Sequence, residues 1–143
     1  MLVIDANILI RAVLGSKVRK LFQTYSSEAP LFLAPELAFE DAACYLPSIL
    51  TQRNRFDIDV AASMAYLQRF VEPVPHELYA DFEEEARERL RLRDEEDWPV
   101  LAAALATGAA IWSEDKDFFG TGVAVWTTSR VEIYLKKQVL PEE

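Results

Sequence analysis

Five short runs of apolar and β-branched residues, each followed by a helical or turn-rich stretch, constrain this chain more than any other feature. They are LVI at 2–4, LFLA at 31–34, VEPVP at 71–75, AAIWS at 109–113 and VAVWT at 123–127. Strands that alternate with helices imply a mostly parallel central sheet covered on both faces, a three-layer α/β/α sandwich. A chain of 143 residues, 51% of them hydrophobic, can close one continuous core and is too short for two ordinary ones. A single domain over residues 1–143 is therefore expected.

The segments between these runs carry helix signals. NILIRAVL at 7–14 has apolar residues at helical spacing before Gly15, and Val18, Leu21, Phe22 and Tyr25 continue that rhythm as far as the SSEAP stretch. The next helix begins near Pro35 and runs through Leu37, Phe39, Ala43 and Leu46, with a bend expected at Pro47, and another covers 59–70. The two prolines of VEPVP suit a sheet edge better than a centre. A charged helix is expected from about His76 to Leu92. DWPVLAAALATG then places an acid at the N-cap, a proline in the first turn, an apolar body and Gly108 at the stop, the pattern of a deeply buried helix. Ser129 and Glu132 have capping-box spacing ahead of a last helix, VEIYLKKQ.

No stretch reaches the roughly 18 uninterrupted apolar residues of a membrane span, and an acid at position 5 is wrong for a signal peptide. No membrane association and a cytoplasmic location are expected. The single cysteine, Cys44, allows neither an internal disulfide nor a cysteine-based zinc site, and is read as a small core residue. A net charge of −9 argues against holding nucleic acid by a broad positive field. Bound cations inside an acidic site are another source of attraction.

Ligands of parallel sheets bind beyond the carboxyl ends of the strands. Asp5 directly follows the first strand, Asp115 and Asp117 follow AAIWS, and Asp97 opens the buried helix, so these acids converge on one rim. Glu40 lies in the first turns of the helix after the second strand, with Glu36 one turn earlier and Asp41 beside it, and any of the three can join the cluster. Two like charges ~4 Å apart cost about 4 kcal/mol at an effective dielectric near 20, so four carboxylates need a cation among them. All-oxygen ligation suits Mg²⁺ or Mn²⁺ rather than zinc or copper. Such ions activate water and stabilise the leaving oxygen in phosphodiester hydrolysis.

The order DANILI, an acid on the helix after the second strand, DWPVLAAAL and then SEDKDF resembles the PIN domain family over nearly the whole chain. The resemblance implies a PIN-like fold and a metal-dependent endoribonuclease whose catalytic, metal-holding acids are Asp5, Glu40, Asp97 and Asp115. It implies supporting roles for Asn7, Ser113 and Asp117. Small prokaryotic members, similar to VapC, are often the toxin of a toxin–antitoxin pair and cut RNA as dimers. The implied partners are therefore an RNA substrate, an antitoxin protein and a second copy of the chain. The strongly acidic balance departs from that toxin pattern.

The same residues admit other readings. Taken alone, Asp97 is an N-cap worth about 1 kcal/mol. A non-catalytic PIN-like module binding RNA or protein would also keep the acids. A phosphatase of the haloacid-dehalogenase type opens with a strand and an Asp but needs a second Asp two residues on, where this chain has Asn7. Arg87 and Arg89 pair with Glu83 and Glu85 at i,i+4, whereas Arg91 and Arg93 lack such partners and become candidate phosphate contacts. Trp98, Trp112 and Trp126 adjoin apolar runs and read as core or interface rather than stacking platforms. One histidine, His76, makes a catalytic triad or a His-based metal site improbable.

Overall fold

The structure is a computed structural model that describes residues 1–27 and 29–139, so Glu28 of the SSEAP stretch lies outside the described residues. Five strands form one sheet: β1 (Leu2–Ile4), β2 (Phe32–Pro35), β3 (Val71–Val74), β4 (Ala110–Trp112) and β5 (Val125–Trp126). Their order across the sheet is β3-β2-β1-β4-β5, and every pairing is parallel. The proline-bearing β3 takes an edge, where Pro73 costs the ladder least.

Alternate strand residues feed two cores. Leu2, Ile4, Phe32, Ala34 and Trp112 face one layer, built from α1 (Ala6–Leu14), α2 (Lys17–Thr24), α3 (Glu36–Gln52), α4 (Val60–Leu67) and α8 (Val131–Val139). Phe22 meets Phe32 and Trp112 edge-on there, at 4.9 and 5.5 Å between ring centres. Val3, Leu33 and Ile111 face the other layer, built from α5 (His76–Tyr79), α6 (Glu83–Arg89) and α7 (Trp98–Thr107). The α/β/α sandwich expected from the alternation is thus the observed architecture. Each fully buried large side chain contributes roughly 1.5–3 kcal/mol.

In α7 every residue from Trp98 to Ala104 is buried. Three consecutive alanines, Ala102–Ala104, keep its surface shallow, and the helix packs against β1, β2 and β4. Pro99 occupies the first turn and Gly108 ends the helix in the left-handed conformation, φ 74°. This anchored helix fixes the height at which Asp97 meets the sheet.

Several local expectations change. Cys44 is exposed: α3 buries Ala38, Ala42 and Leu46 at four-residue steps, and a residue two beyond Ala42 falls on the opposite side. The helix continues through Pro47 to Gln52, with Pro47 on its exposed side. The charged helix is interrupted by a tight turn at Ala80–Phe82 and ends at Arg89, with Leu92 in the left-handed region. The expected capping box is diverted, since Glu132 accepts from the Tyr25 hydroxyl and Ser129 bonds Thr127. Trp98 and Trp112 are buried and Trp126 is half-buried. Among the described residues, no helix is long and apolar enough to cross a membrane.

A Cβ added at Gly108 meets nothing within 4 Å, so its substitution tests backbone conformation alone. Gly108→Ala is expected to cost about 1 kcal/mol. Urea unfolding should show a lower midpoint with an unchanged slope; an unchanged midpoint would remove the left-handed stop as a stabilising feature.

Candidate metal centre

The parallel pairing of Ile4 with Trp112 carries the next residue of each strand, Asp5 and Ser113, to the same rim. Asp5 caps α1: its Oδ1 accepts from the Ile8 N–H at 3.0 Å, while its Oδ2 accepts from the Ser113 hydroxyl. The Ser113 oxygen in turn accepts from the Asp115 N–H at 2.9 Å, and Asp115 Oδ1 accepts from the Asp117 N–H at 2.9 Å. One run of hydrogen bonds thus locks the loop carrying Asp115 and Asp117 to Asp5. Asp5 is only 8% exposed. Burial pushes its carboxyl above the usual range, Ser113, Ile8 and Asn7 offset part of this, and the nearby Asp115 charge adds to it.

Asp97 precedes α7 but makes no capping hydrogen bond; the capping bond nearby belongs to Asp94, which accepts from the Glu96 N–H at 3.0 Å at the start of the tight turn Glu95–Asp97 that leads into α7. The bland N-cap reading of Asp97 therefore loses its support. Its Oδ2 is buried without a hydrogen-bond partner. One carboxylate oxygen each from Asp97, Asp115 and Asp117 lie within 4.8 Å of one another. Burial first, then Asp115, Asp94 and Asp5, push the Asp97 carboxyl up to about 7.

These acids open onto a cavity of about 260 Å³ lined by Asp5, Asn7, Asp41, Asp94, Asp97 and Asp115, together with Glu96 and apolar residues, and by no lysine or arginine among the described residues. An oxygen-only donor set with an orphaned buried carboxylate oxygen fits a hard divalent cation, and Asp5, Asp97 and Asp115, with Asp117 at the edge, could hold it. Asn7 lines the cavity, and Ser113 touches it through its bonds to Asp5 and Asp115.

The second acid is where the structure departs from the expectation. Glu40 is exposed and does not line the cavity; with Glu36 it lies where its charge acts on Tyr79. Asp41, one residue and about 100° further round α3, shares the cavity-facing side with Leu37 and Tyr45 at four-residue spacing. That spacing was readable beforehand, but nothing in the sequence said which helix face met the rim.

The arginines have other partners. Arg93 donates to the carbonyls of Asp117, at 2.7 Å, and Phe119. Arg89 donates to the Thr121 carbonyl at 2.8 Å and pairs with Glu85, and Arg87 pairs with Glu83. Arg91 lies 3.6 Å from Glu88, both well exposed. The reading of Arg91 and Arg93 as phosphate contacts missed this anchoring of the loop by Arg93. Its trace in the sequence is GTG at 120–122: a Cβ on Gly120 or Gly122 would meet the guanidinium of Arg93 at 3.2 Å or Arg89 at 2.8 Å.

The raised Asp97 pKa has a testable sign. Between the ordinary value of 3.8 and about 7 the folded chain keeps a proton that the unfolded chain has lost, so metal-free stability falls as pH rises through this window. Asp97→Asn removes the loss. In EDTA above pH 7 the variant should be more stable than wild type by about 1–2 kcal/mol, after discounting for solvent screening of a half-buried group, and the difference should vanish below pH 4. Denaturant melts across pH that find the variant less stable above pH 7 would refute the assigned repulsion.

No curated protein matches the sequence. Among solved structures, a chain of a "Toxin-antitoxin complex from Klebsiella pneumoniae" is similar in fold, with a TM-score of 0.64, 15% identity, and coverage of 90% of this chain and 98% of that one. The PIN domain family matches residues 3–136, a span that takes in every acid of the cavity. The chain therefore belongs to the PIN domain family.

Proposed function

We propose that this protein is a divalent-metal-dependent endoribonuclease, with Asp5, Asp41, Asp97 and Asp115 as its catalytic acids and Asp41 in the role that resemblance gave to Glu40. The observation that carries the reading is the buried, unpartnered Asp97 oxygen in a cavity lined by acids and, among the described residues, by no lysine or arginine. When bound there, Mg²⁺ or Mn²⁺ would supply Lewis acidity, making a water more acidic and stabilising charge on the phosphate oxygens.

The chain's own groups prepare the site. Asp5 is fixed by two hydrogen bonds, so its carboxylate has one orientation. Ser113 holds Asp115 through the backbone and so sets the distance between the two strand-end acids. Without a cation, burial and the neighbouring Asp115, Asp94 and Asp5 raise the Asp97 carboxyl to about 7, and a bound cation would favour its carboxylate form. Asn7, uncharged and on the cavity wall, is placed to orient water or a phosphate oxygen without adding repulsion.

The likeness to a chain of a toxin–antitoxin complex supports a toxin role with an antitoxin protein as partner; a cytoplasmic location and a homodimer are part of the proposal. Family membership supports nuclease chemistry, and RNA as the polymer cut is part of the proposal.

Asp115→Asn and Asp41→Asn should each lower Mn²⁺-dependent RNA cleavage by at least about a hundredfold, while Glu40→Gln stays within a few-fold of wild type. Full activity in Asp115→Asn would end the nuclease reading; loss in Glu40→Gln with activity kept in Asp41→Asn would return the second acid to Glu40. Mn²⁺ at a hundred times its Kd should stabilise the fold by about 2.7 kcal/mol in thermal melts, and EDTA should reverse it. A melting temperature indifferent to Mn²⁺ would favour a module without a metal centre.

A further inference from the structure

Beside the acid cavity lies a groove of opposite charge, with a volume of about 610 Å³. Its walls include Arg11, Lys17, Arg53, Glu114, Thr128 and Ser129, three cations against one acid in a chain of net charge −9. The two concavities share two walls. Helix α1 lends Asn7 to the acid cavity and Arg11, one turn later, to the groove. The loop after β4 lends Asp115 to the cavity and Glu114 to the groove.

The single acid is already engaged. Glu114 Oε1 accepts from the Thr128 N–H at 2.6 Å and lies 3.9 Å from Arg11, so it ties the loop to the turn before α8. Lys17 and Arg53 are exposed, and neither has an ion-pair partner among the described residues. Unpaired cations and an exposed serine hydroxyl in a concave surface are the donors that phosphate oxygens use.

Resting on the nuclease reading above, we infer that the RNA strand leaves the acid centre through this groove, its phosphates contacted by Lys17 and Arg53 with Arg11 at the junction. Continuity with the cavity favours RNA over an acidic protein segment. A strand whose scissile phosphate sits at Asp97 and Asp115 passes Asn7 and then Arg11 along the same helix. The arrangement also answers how so acidic a protein holds a polyanion: by a local track rather than an overall field.

The test is binding rather than turnover. With Asp115→Asn as the cleavage-deficient parent and Mg²⁺ present, fluorescence anisotropy would follow a labelled single-stranded RNA between 50 and 200 mM salt. Adding Lys17→Gln and Arg53→Gln should weaken binding about tenfold and flatten the log–log salt slope by about 1.4, the release expected for two single-strand phosphates. Lys17→Arg with Arg53→Lys should bind like the parent. Unchanged affinity and slope in the Gln variant would overturn the groove while leaving the nuclease reading intact, and so would an equal loss in the charge-preserving variant. Loss of poly-glutamate binding with RNA binding intact would assign the groove to an acidic protein segment and also overturn it. Groove-dependent RNA binding alongside a wild type that cleaves no RNA would uphold the groove and sink the nuclease reading.

Discussion

The parallel register between β1 and β4 governs the chemistry of this molecule, because it brings Asp5 and Ser113 side by side at the strand ends. A one-residue slip would send alternate side chains to the opposite face and move Ile4 and Trp112 out of their core. The hydrophobic pattern that builds the sheet therefore also sets the spacing of the acids. From that contact the hydrogen bonds run to Asp115 and Asp117, so the loop carrying these acids inherits the rigidity of the sheet. Asp97 arrives from another direction, on a helix whose alanines let it settle close to β1, β2 and β4.

Charge is partitioned more sharply than the net value of −9 suggests. Carboxylates gather where the hydrogen-bond network holds them, while Arg11, Lys17 and Arg53 sit across the shared walls of α1 and the Glu114 loop. Within a Debye length, about 8 Å at physiological salt, these neighbours matter more to a ligand than the total charge does. A composition argument is thus sound about the far field and silent about the site.

Much of the fold was legible because it rests on periodicity and punctuation. Strand positions, the buried helix closed by Gly108 and the edge placement of the proline-bearing strand all follow from rules local to a few residues. The convergence of Asp5, Asp97 and Asp115 on one cavity was legible for a related reason: each sits where a regular element begins or ends, and element ends are what sequence reading locates. The choice between Glu40 and Asp41 was different in kind. Adjacent helical residues point about 100° apart, so the answer depends on the rotation of α3 about its axis, which packing of Ala38, Ala42 and Leu46 decides. Cys44 was misjudged for the same reason. The arginines failed differently, since i,i+4 pairing predicts partners on the same helix and cannot see a carbonyl some 24 residues away.

Arg93 grips the backbone at Asp117 and Phe119, and Arg89 grips it at Thr121, each lying close to a glycine, where an added Cβ would sit 3.2 Å from Arg93 or 2.8 Å from Arg89. At its other end the loop is tied through Ser113 to Asp5. A loop free at either end would swing its carboxylates apart and relieve the mutual repulsion. Held at both, it keeps Asp115 and Asp117 beside Asp97, and burial first, then the neighbouring Asp115, Asp94 and Asp5, raise the Asp97 carboxyl to about 7. The arginines act through the backbone, so their charge rigidifies the acids without neutralising them, and the field at the centre stays negative for a cation to satisfy.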